Sequence, residues 1–459
     1  VLELITIRIV RLTFVLVVVA SLLTVSVLWQ NRPIDWSSER QVTNGVGDSR
    51  LVDIKGGSNG VVHLVWEDDR EEKVDVYYKR STDDGVTWGE DVKLTNLTPQ
   101  TIEPIPRLVT SENVVLILFS NRTENGEHVF YVLSQDAGAH FSPPKQLSFA
   151  SGDQSNAAAS MVGKVIHVVW QGYLRGQAQT IYVKSPDGGL TWDDEVALKD
   201  SGLLDRHPSL YAVGDNVFVA WSRNDLGREA VFFRASYDSG ETWEQEVQLS
   251  DFEPPIFLIF PSVASDGSAV HVIWNWKELY YARSMDAGKT WSPPTAITYG
   301  GEVHLAPEIS AVGSQIQVVS AAFLTQGEPR RVGISADIQY LKSADGGDQW
   351  TEPLVLTEHE SDVLSLAPAI SIREGATFVA WQDNRKGGFA AYLISKPDFA
   401  AIHTYWQQLV YPLLFVLAAT SIAYAALELK NRRRTPKRQR GARRTTRIRS
   451  RRKRVTRTA

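Results

Sequence analysis

Three short runs, SRLV (49–52), PRLV (106–109) and PEIS (307–310), place Arg50, Arg107 and Glu308 at one position of a recurring pattern. The matching runs PSLY, PSVA and PAIS carry Ser209, Ser262 and Ala369 there. Guanidinium forks bind carboxylates through paired N–H donors, so two arginines and a carboxylate among small residues could hold an acidic sugar. The same groups could instead neutralise one another as buried ion pairs. Other reactive types fall in polar connecting segments: Asp68 and Arg70 in WEDDR (66–70), Asp383 and Arg385 in WQDNR (381–385), then Glu103, Arg206, His207, Glu302 and His304. Because W-x-D-x-R occurs twice, a salt bridge that braces a hairpin accounts for it better than catalysis. By residue type, Asp68 and Glu308 are candidate acids and Tyr173 a candidate nucleophile. Arg50, Arg107, Glu308, Arg206 and His207 are the candidate ligand contacts.

Cysteine is absent, which removes disulfides, thiolate nucleophiles and cysteine-held metals from consideration. The nine histidines form no HExxH and no other metal-binding spacing, so neither metal nor cofactor is expected. His63, His167 and His271 recur three residues before a tryptophan and are read as packing residues.

A second family of polar residues recurs more strictly. The octets STDDGVTW (81–88), SPDGGLTW (185–192), SYDSGETW (236–243) and SMDAGKTW (284–291) are near-copies, and SQDAGAHF (134–141) and SADGGDQW (343–350) are looser ones. Their aspartates are Asp83, Asp136, Asp187, Asp238, Asp286 and Asp345. Ser and Asp side chains close polar turns on nearby backbone groups, Gly supplies a positive-φ position, and Trp packs beneath. Six copies of one catalytic aspartate would be redundant, whereas six fasteners suit a repeat fold.

The elements that carry these residues follow from the spacing. Octet starts lie 53, 51, 51, 48 and 59 residues apart, a period that indicates propeller blades. Upstream of each octet is a β-branched and aromatic run such as VHLVW (62–66), IHVVW (166–170) or TFVAW (377–381), seven in all. Each unit reads as a four-stranded meander, a–b–c–d, with the octet as the c–d turn. The seventh unit stops after three strands, while IDWSSERQVT (34–43) resembles the segment after an octet. The expectation is an all-β, seven-bladed propeller, six-bladed if one unit drops out. The N-terminal strand should complete the last blade and remove its open edge. Octets and a–b turns then share one face, and ligands are expected on the other.

The octet resembles the Asp-box, or bacterial neuraminidase repeat, S-x-D-x-G-x-T-W, and by period the resemblance covers roughly residues 34–396. It implies a sialidase-like propeller. Active sialidases of that superfamily have six blades and use three arginines on the sugar carboxylate, a tyrosine nucleophile with a glutamate partner, and an aspartate acid/base. Here no RIP-type strand supplies the first arginine, IPRL (105–108) being a scrambled version, and Tyr173 and Tyr299 are the tyrosines in suitable loops. Three readings stay open: a glycan-recognising propeller, an exo-acting glycosidase of sialidase type, and a non-catalytic protein-interaction scaffold.

Two apolar stretches flank this body: Leu12–Trp29, preceded by Arg8 and Arg11, and Leu409–Leu427. Each approaches the roughly 20 residues that cross a bilayer as helix. QNRPIDW (30–36) lacks a small-residue cleavage pattern, so the first stretch reads as an uncleaved anchor. From Lys430 to Ala459 there are sixteen Lys or Arg and no acid, leaving 32 basic against 53 acidic residues elsewhere, a net of −21. The positive-inside bias places both termini in the cytoplasm and the propeller outside a plasma membrane. The expected organisation is an anchor in 1–33, a propeller in 34–400, a second span in 405–429 and a basic tail in 430–459. The tail could attract anionic lipid or bind nucleic acid in a salt-dependent way.

Overall fold

A computed structural model describes residues 36–397, except 45–46, 102, 175, 199–202, 253–257, 324–334, 358–361 and 374–375. Both proposed membrane spans and the basic tail lie outside the described residues. Among those described, no helix is long and apolar enough to cross a membrane.

The described strands form seven four-stranded antiparallel sheets, each a meander. Strand a begins at Ser49, Arg107, Ser155, Leu204, Ser262, Val303 and Ser365 in blades 1 to 7. Strand b is the apolar run of each unit, and it is the most deeply buried because it is covered on both faces. Trp66, Trp170, Trp221 and Trp381 sit there with no solvent exposure. Seven apolar clusters each join two adjacent sheets, and one of them packs Val52, Ile54 and Trp66 of blade 1 against Phe378 and Leu393 of blade 7. The ring is therefore closed, with seven blades.

Closure uses the N-terminal segment as anticipated. Arg40–Gln41 pair antiparallel with Leu393 and Tyr392, and the Ser37 N–H donates to the Ser395 carbonyl at 2.8 Å. Trp36 meets Tyr340 of blade 6 edge-on, ring centroids 5.0 Å apart. The same contact recurs around the ring: Phe141 on Tyr78, Trp192 on Tyr131, Trp243 on Tyr182, Trp291 on Phe233 and Trp350 on Tyr281. Each octet aromatic thus staples its blade to strand c of the blade before.

All six octets close by the same bonds. The Ser hydroxyl donates to the Asp Oδ1 at 2.7–2.9 Å and accepts the Gly N–H at 2.8–2.9 Å, while Oδ1 accepts the N–H four residues on at 2.8–3.0 Å. The two looser copies at Asp136 and Asp345 are complete as well. Four of the aspartates, Asp83, Asp187, Asp238 and Asp286, have pKa values drawn down to about 2, chiefly by the hydroxyl and backbone N–H of the Thr four residues on and further by the Ser hydroxyl. Each octet also donates an N–H to the a–b turn of its own blade, as Asp84 does to Gly60 and Ser239 to Asp215. Octets and a–b turns therefore share one face.

One expectation about strand a needs correction. In six blades its start has a residue in the left-handed region, Leu51, Ile105, Asn156, His207, Ala306 and Ala367, φ 47–54°, and in all of these but the blade of Ile105 it falls in a bulge. The bulge shifts the register. Arg107 pairs with Leu118, Ser209 with Ala220 and Glu308 with Val319, each one residue before the Trp position of strand b. In blade 1 the residue at that level is Asp53, opposite Val65, and Arg50 lies before the bulge, opposite Glu67. Arg50 and Arg107 are thus not equivalent. In blade 3 the position is held by Ala158.

Candidate functional site

The position that Arg50 vacates has a structural purpose. Asp53 accepts the N–H of Leu108 in the next blade at 2.8 Å, Ser209 that of Val263 at 3.1 Å, Ser262 that of Ile309 at 3.3 Å, and Glu308 that of Ile370 at 3.2 Å. These side chains are rungs between neighbouring strands a. Glu308 also belongs to a charge cluster with Lys55, Asp53 and Arg107. Burial pushes its pKa up, and Lys55 opposes that shift. Lys55 pairs with Asp53 at 2.8 Å. Burial works against the charged form of Lys55, but Asp53 and Glu308 outweigh it and its pKa lies above the usual lysine value. About a third of its side chain, 32%, stays open to solvent, as suits a group lining a narrow channel. Arg107 has no hydrogen bond or ion pair among the described residues. Glu308 and Arg107 therefore share a site, but as members of a mutually compensating cluster.

Asp68 is not available for proton transfer. Its side chain has no solvent exposure and accepts from Ser49 Oγ, Trp66 Nε1 and the backbone and guanidinium of Arg70 at 2.8–3.1 Å. The Arg70 guanidinium stacks 4.3 Å over the Tyr77 ring. Blade 7 repeats the arrangement with Asp383, Arg385 and Tyr392. Blade 4 builds a variant from Asp205, Arg223 and Phe232. W-x-D-x-R is a hairpin brace. The three repeat histidines are equally structural: each Nδ1 lies 2.7 Å from a tyrosine hydroxyl of strand c.

On the face away from the octets, two adjacent cavities open across blades 2 to 4. The first, about 320 Å³, is lined by Glu103, Ile105, Arg122, Glu127, Ser155 and Asn156 among others. The second, about 340 Å³, shares Ser155 and brings together Asp153, Gln171, Tyr173, Arg206, His207 and Leu258. Three residues singled out from the sequence, Tyr173, Arg206 and His207, thus meet in one cavity. Tyr173 is 40% exposed and flanks Gly152. Arg206 faces Glu229 at 3.7 Å. The His207 backbone N–H donates to Gln171 Oε1 at 3.0 Å and its Nδ1 lies 3.1 Å from the Ile259 carbonyl. Burial holds its pKa down at about 4, so the ring is neutral at physiological pH. Elsewhere on the molecule, Arg50 pairs with Asp48 and lies 3.9 Å from Asp69. Tyr299 is exposed and donates to the Ala296 carbonyl. His304 is buried against Ser320, and Glu302 accepts from Gln339. No group of three His, Asp or Glu side chains among the described residues could hold a metal.

Residues 65–272 match the BNR repeat-like domain family. That match agrees with the closed ring of seven blades and its six Asp-box turns. The described residues form a seven-bladed, sialidase-like β-propeller of BNR-type repeats. No curated protein matches it by sequence. Among solved structures, this BNR propeller is similar to an ulvan lyase of a polysaccharide lyase family, bound to a sulfated glucuronate–rhamnose saccharide: 13% identity over 79% of this chain and 95% of that one, TM-score 0.52. A protein of unknown function from Dyadobacter fermentans matches over 80% of this chain and 99% of its own, at 14% identity and TM-score 0.47. Trypanosoma rangeli sialidase matches over 78% and 59%, at 12% identity and TM-score 0.46. At 13% identity the likeness to the lyase shows a shared fold alone, and the chemistry of the BNR propeller has to be read from its own residues.

Sequence reasoning did not single out Glu67, Arg122, Glu127 or Asp153 as site residues. Glu67 is 3% exposed and follows the strand-b Trp, where blades 3 and 7 of the BNR propeller carry Gln171 and Gln382. Those amides accept the N–H of a bulge residue in the next blade, His207 at 3.0 Å and Leu51 at 2.6 Å. Glu67 accepts the Ile105 N–H in the same way. Burial, reinforced by Glu103, pushes its pKa up to about 8. Aligning the residue after each strand-b Trp would have exposed this substitution of a carboxyl for an amide.

Proposed function

We propose that this propeller recognises glycans on the face opposite its Asp-boxes, in the paired cavities across blades 2 to 4. The observation that carries this reading is the convergence of Tyr173, Arg206, His207 and Gln171 on one cavity of about 340 Å³. A half-exposed aromatic ring beside hydrogen-bonding side chains is what a sugar needs, because its C–H face packs on the ring while its hydroxyls take the polar groups. Ser155 belongs to both cavities, which suits an extended saccharide more than a single terminal sugar. The likeness to a saccharide-bound lyase at TM-score 0.52 agrees with the choice of fold.

Hydrolysis of sialidase type has less support. Among the described residues each candidate arginine is committed separately: Arg50 to Asp48, Arg122 to Glu127 and Asp153, Arg206 to Glu229, with Arg107 among the channel charges. The membrane arrangement belongs to the same proposal. Ser37 and Ser395, the two ends of the ring, pair with each other, which suits two flanking anchors. Glycan-array binding by the full chain tests the reading. Tyr173→Ala and Arg206→Ala are each expected to weaken binding about tenfold or more with melting temperature nearly unchanged. Turnover of a fluorogenic sialoside would install the hydrolase in its place, and absence of both would leave the scaffold.

A further inference from the structure

We propose that the groove engages its glycan through a cationic amine, so that the saccharide carries free amino groups in place of the carboxylate of a uronate or sialic acid. This deepens the recognition reading above and rests on it. At the first cavity Glu103 is exposed and has no ion pair or hydrogen bond among the described residues. Glu127 lines the same cavity, and Asp153, 56% exposed at its side chain, lines the second cavity and faces Arg122 of the first. Among the described residues the one cation there is Arg122, already shared between Glu127 at 3.8 Å and Asp153 at 3.7 Å. In the second cavity Arg206 faces Glu229, and Asp205 is locked to Arg223 at 2.7 Å. The described residues of the groove therefore leave uncompensated negative charge, which concentrates cations and opposes anions.

An independent observation lies behind Ile105. Glu67 spends one hydrogen bond on the N–H of Ile105, itself a lining residue, and its buried Oε2 has no partner. Gln171 and Gln382 make the same bond as amides. The carboxyl at Glu67 thus departs from the amide of those blades and leaves an unpartnered polar oxygen behind the cavity where Glu103 stands. A ring-mounted ammonium offers three donors to such a set, whereas an N-acetyl group or a carboxylate offers none of that charge.

The test is titration calorimetry of the full chain with a de-N-acetylated glucosamine oligomer, its N-acetylated counterpart and a uronate oligomer of equal length. Binding is expected for the amino oligomer alone, weakened by added salt and by about fivefold for each of Glu103→Gln and Glu127→Gln. Glu103→Gln lies on the surface, so its fold should be intact. Equal affinity for the N-acetylated oligomer, or affinities unmoved by both substitutions, overturns the inference. Preference for the uronate overturns it while leaving glycan recognition standing. Binding of polylysine with no saccharide bound overturns glycan recognition and this inference together.

Discussion

On the octet face of the ring, six Ser-Asp-Gly turns make the same bonds to within a few tenths of an ångström, whether the local sequence is SPDGGLTW or SQDAGAHF. The opposite face, made by the other ends of the same strands, follows no such uniformity. Blade 2 presents Arg122 and Glu127, blade 3 Tyr173, and blade 4 Arg206 and His207. The difference separates two kinds of polar residue. A side chain that recurs at one level of the ring is fastening blades, even when it is an aspartate, a histidine or a strained bulge residue. A side chain that departs from its level is free to meet a ligand. By this criterion Asp68 and Glu308 fall with the fasteners, and Glu67 falls with the departures.

The contrast can be broken most sharply at its glycines. A Cβ on Gly240, where φ is +85°, would lie 2.0 Å from the Tyr182 hydroxyl, which His167 holds in place. Gly227, in the b–c turn of blade 4 at φ +84°, would meet nothing within 4 Å. Denaturant titration should show Gly240→Ala losing about 4 kcal/mol, overpacking adding to strain, and Gly227→Ala about 1 kcal/mol. Similar losses at both sites would remove the distinction between the faces.

A smaller effect separates them by pH. Burial lowers His63, His167 and His271, which lie beneath the octets, to about 4 from 6.5. The unfolded chain therefore takes up protons first, so stability is complete above 6.5 and is lost as pH falls towards 4. The octet aspartates at about 2 add stability that is present above the usual carboxylate value of 3.8 and lost only as pH falls through about 2. His167→Gln, which keeps a polar group near Tyr182, should flatten the loss over the upper window by about 2 kcal/mol, measured as the change in unfolding midpoint with pH. An unchanged slope would mean that the rings are not what couples this face to protons.

Much of this was legible in the sequence, for a physical reason. Octets and strand-b runs are local: Ser81, Asp83, Gly85 and Trp88 sit within eight residues, so their spacing survives as text. The missing strand of blade 7 could be found because Trp36 is the aromatic of a split octet. The start of strand a was misread because the bulge at Leu51 shifts the pairing without altering composition. SRLV and PRLV look aligned, yet Arg50 and Arg107 stand at different levels. The groove was only half visible. Arg206 and His207 were legible as polar residues in a connecting segment, but Glu127 and Asp153 join them only through contact between blades 2 and 3.

Glu67 offers the last and finest discrimination, because it is a fastener by position and a departure by chemistry. Folding raises its pKa to about 8 from 4.5, so its contribution is fully present below 4.5 and is lost as pH rises through about 8. Glu67→Gln restores the amide of blades 3 and 7, which can still accept the Ile105 N–H. If the carboxyl has no role in the fold, the variant matches the parent near pH 4 and exceeds it at about pH 9 by on the order of 2 kcal/mol, read from thermal unfolding at the two values. A variant less stable at every pH would show that the unpartnered Oε2 is satisfied in a way an amide nitrogen cannot imitate, and would move Glu67 back among the fasteners. A gain confined to high pH, accompanied by weaker binding of an amine-bearing ligand, would show that this blade gives up alkaline stability to keep a carboxyl behind the groove.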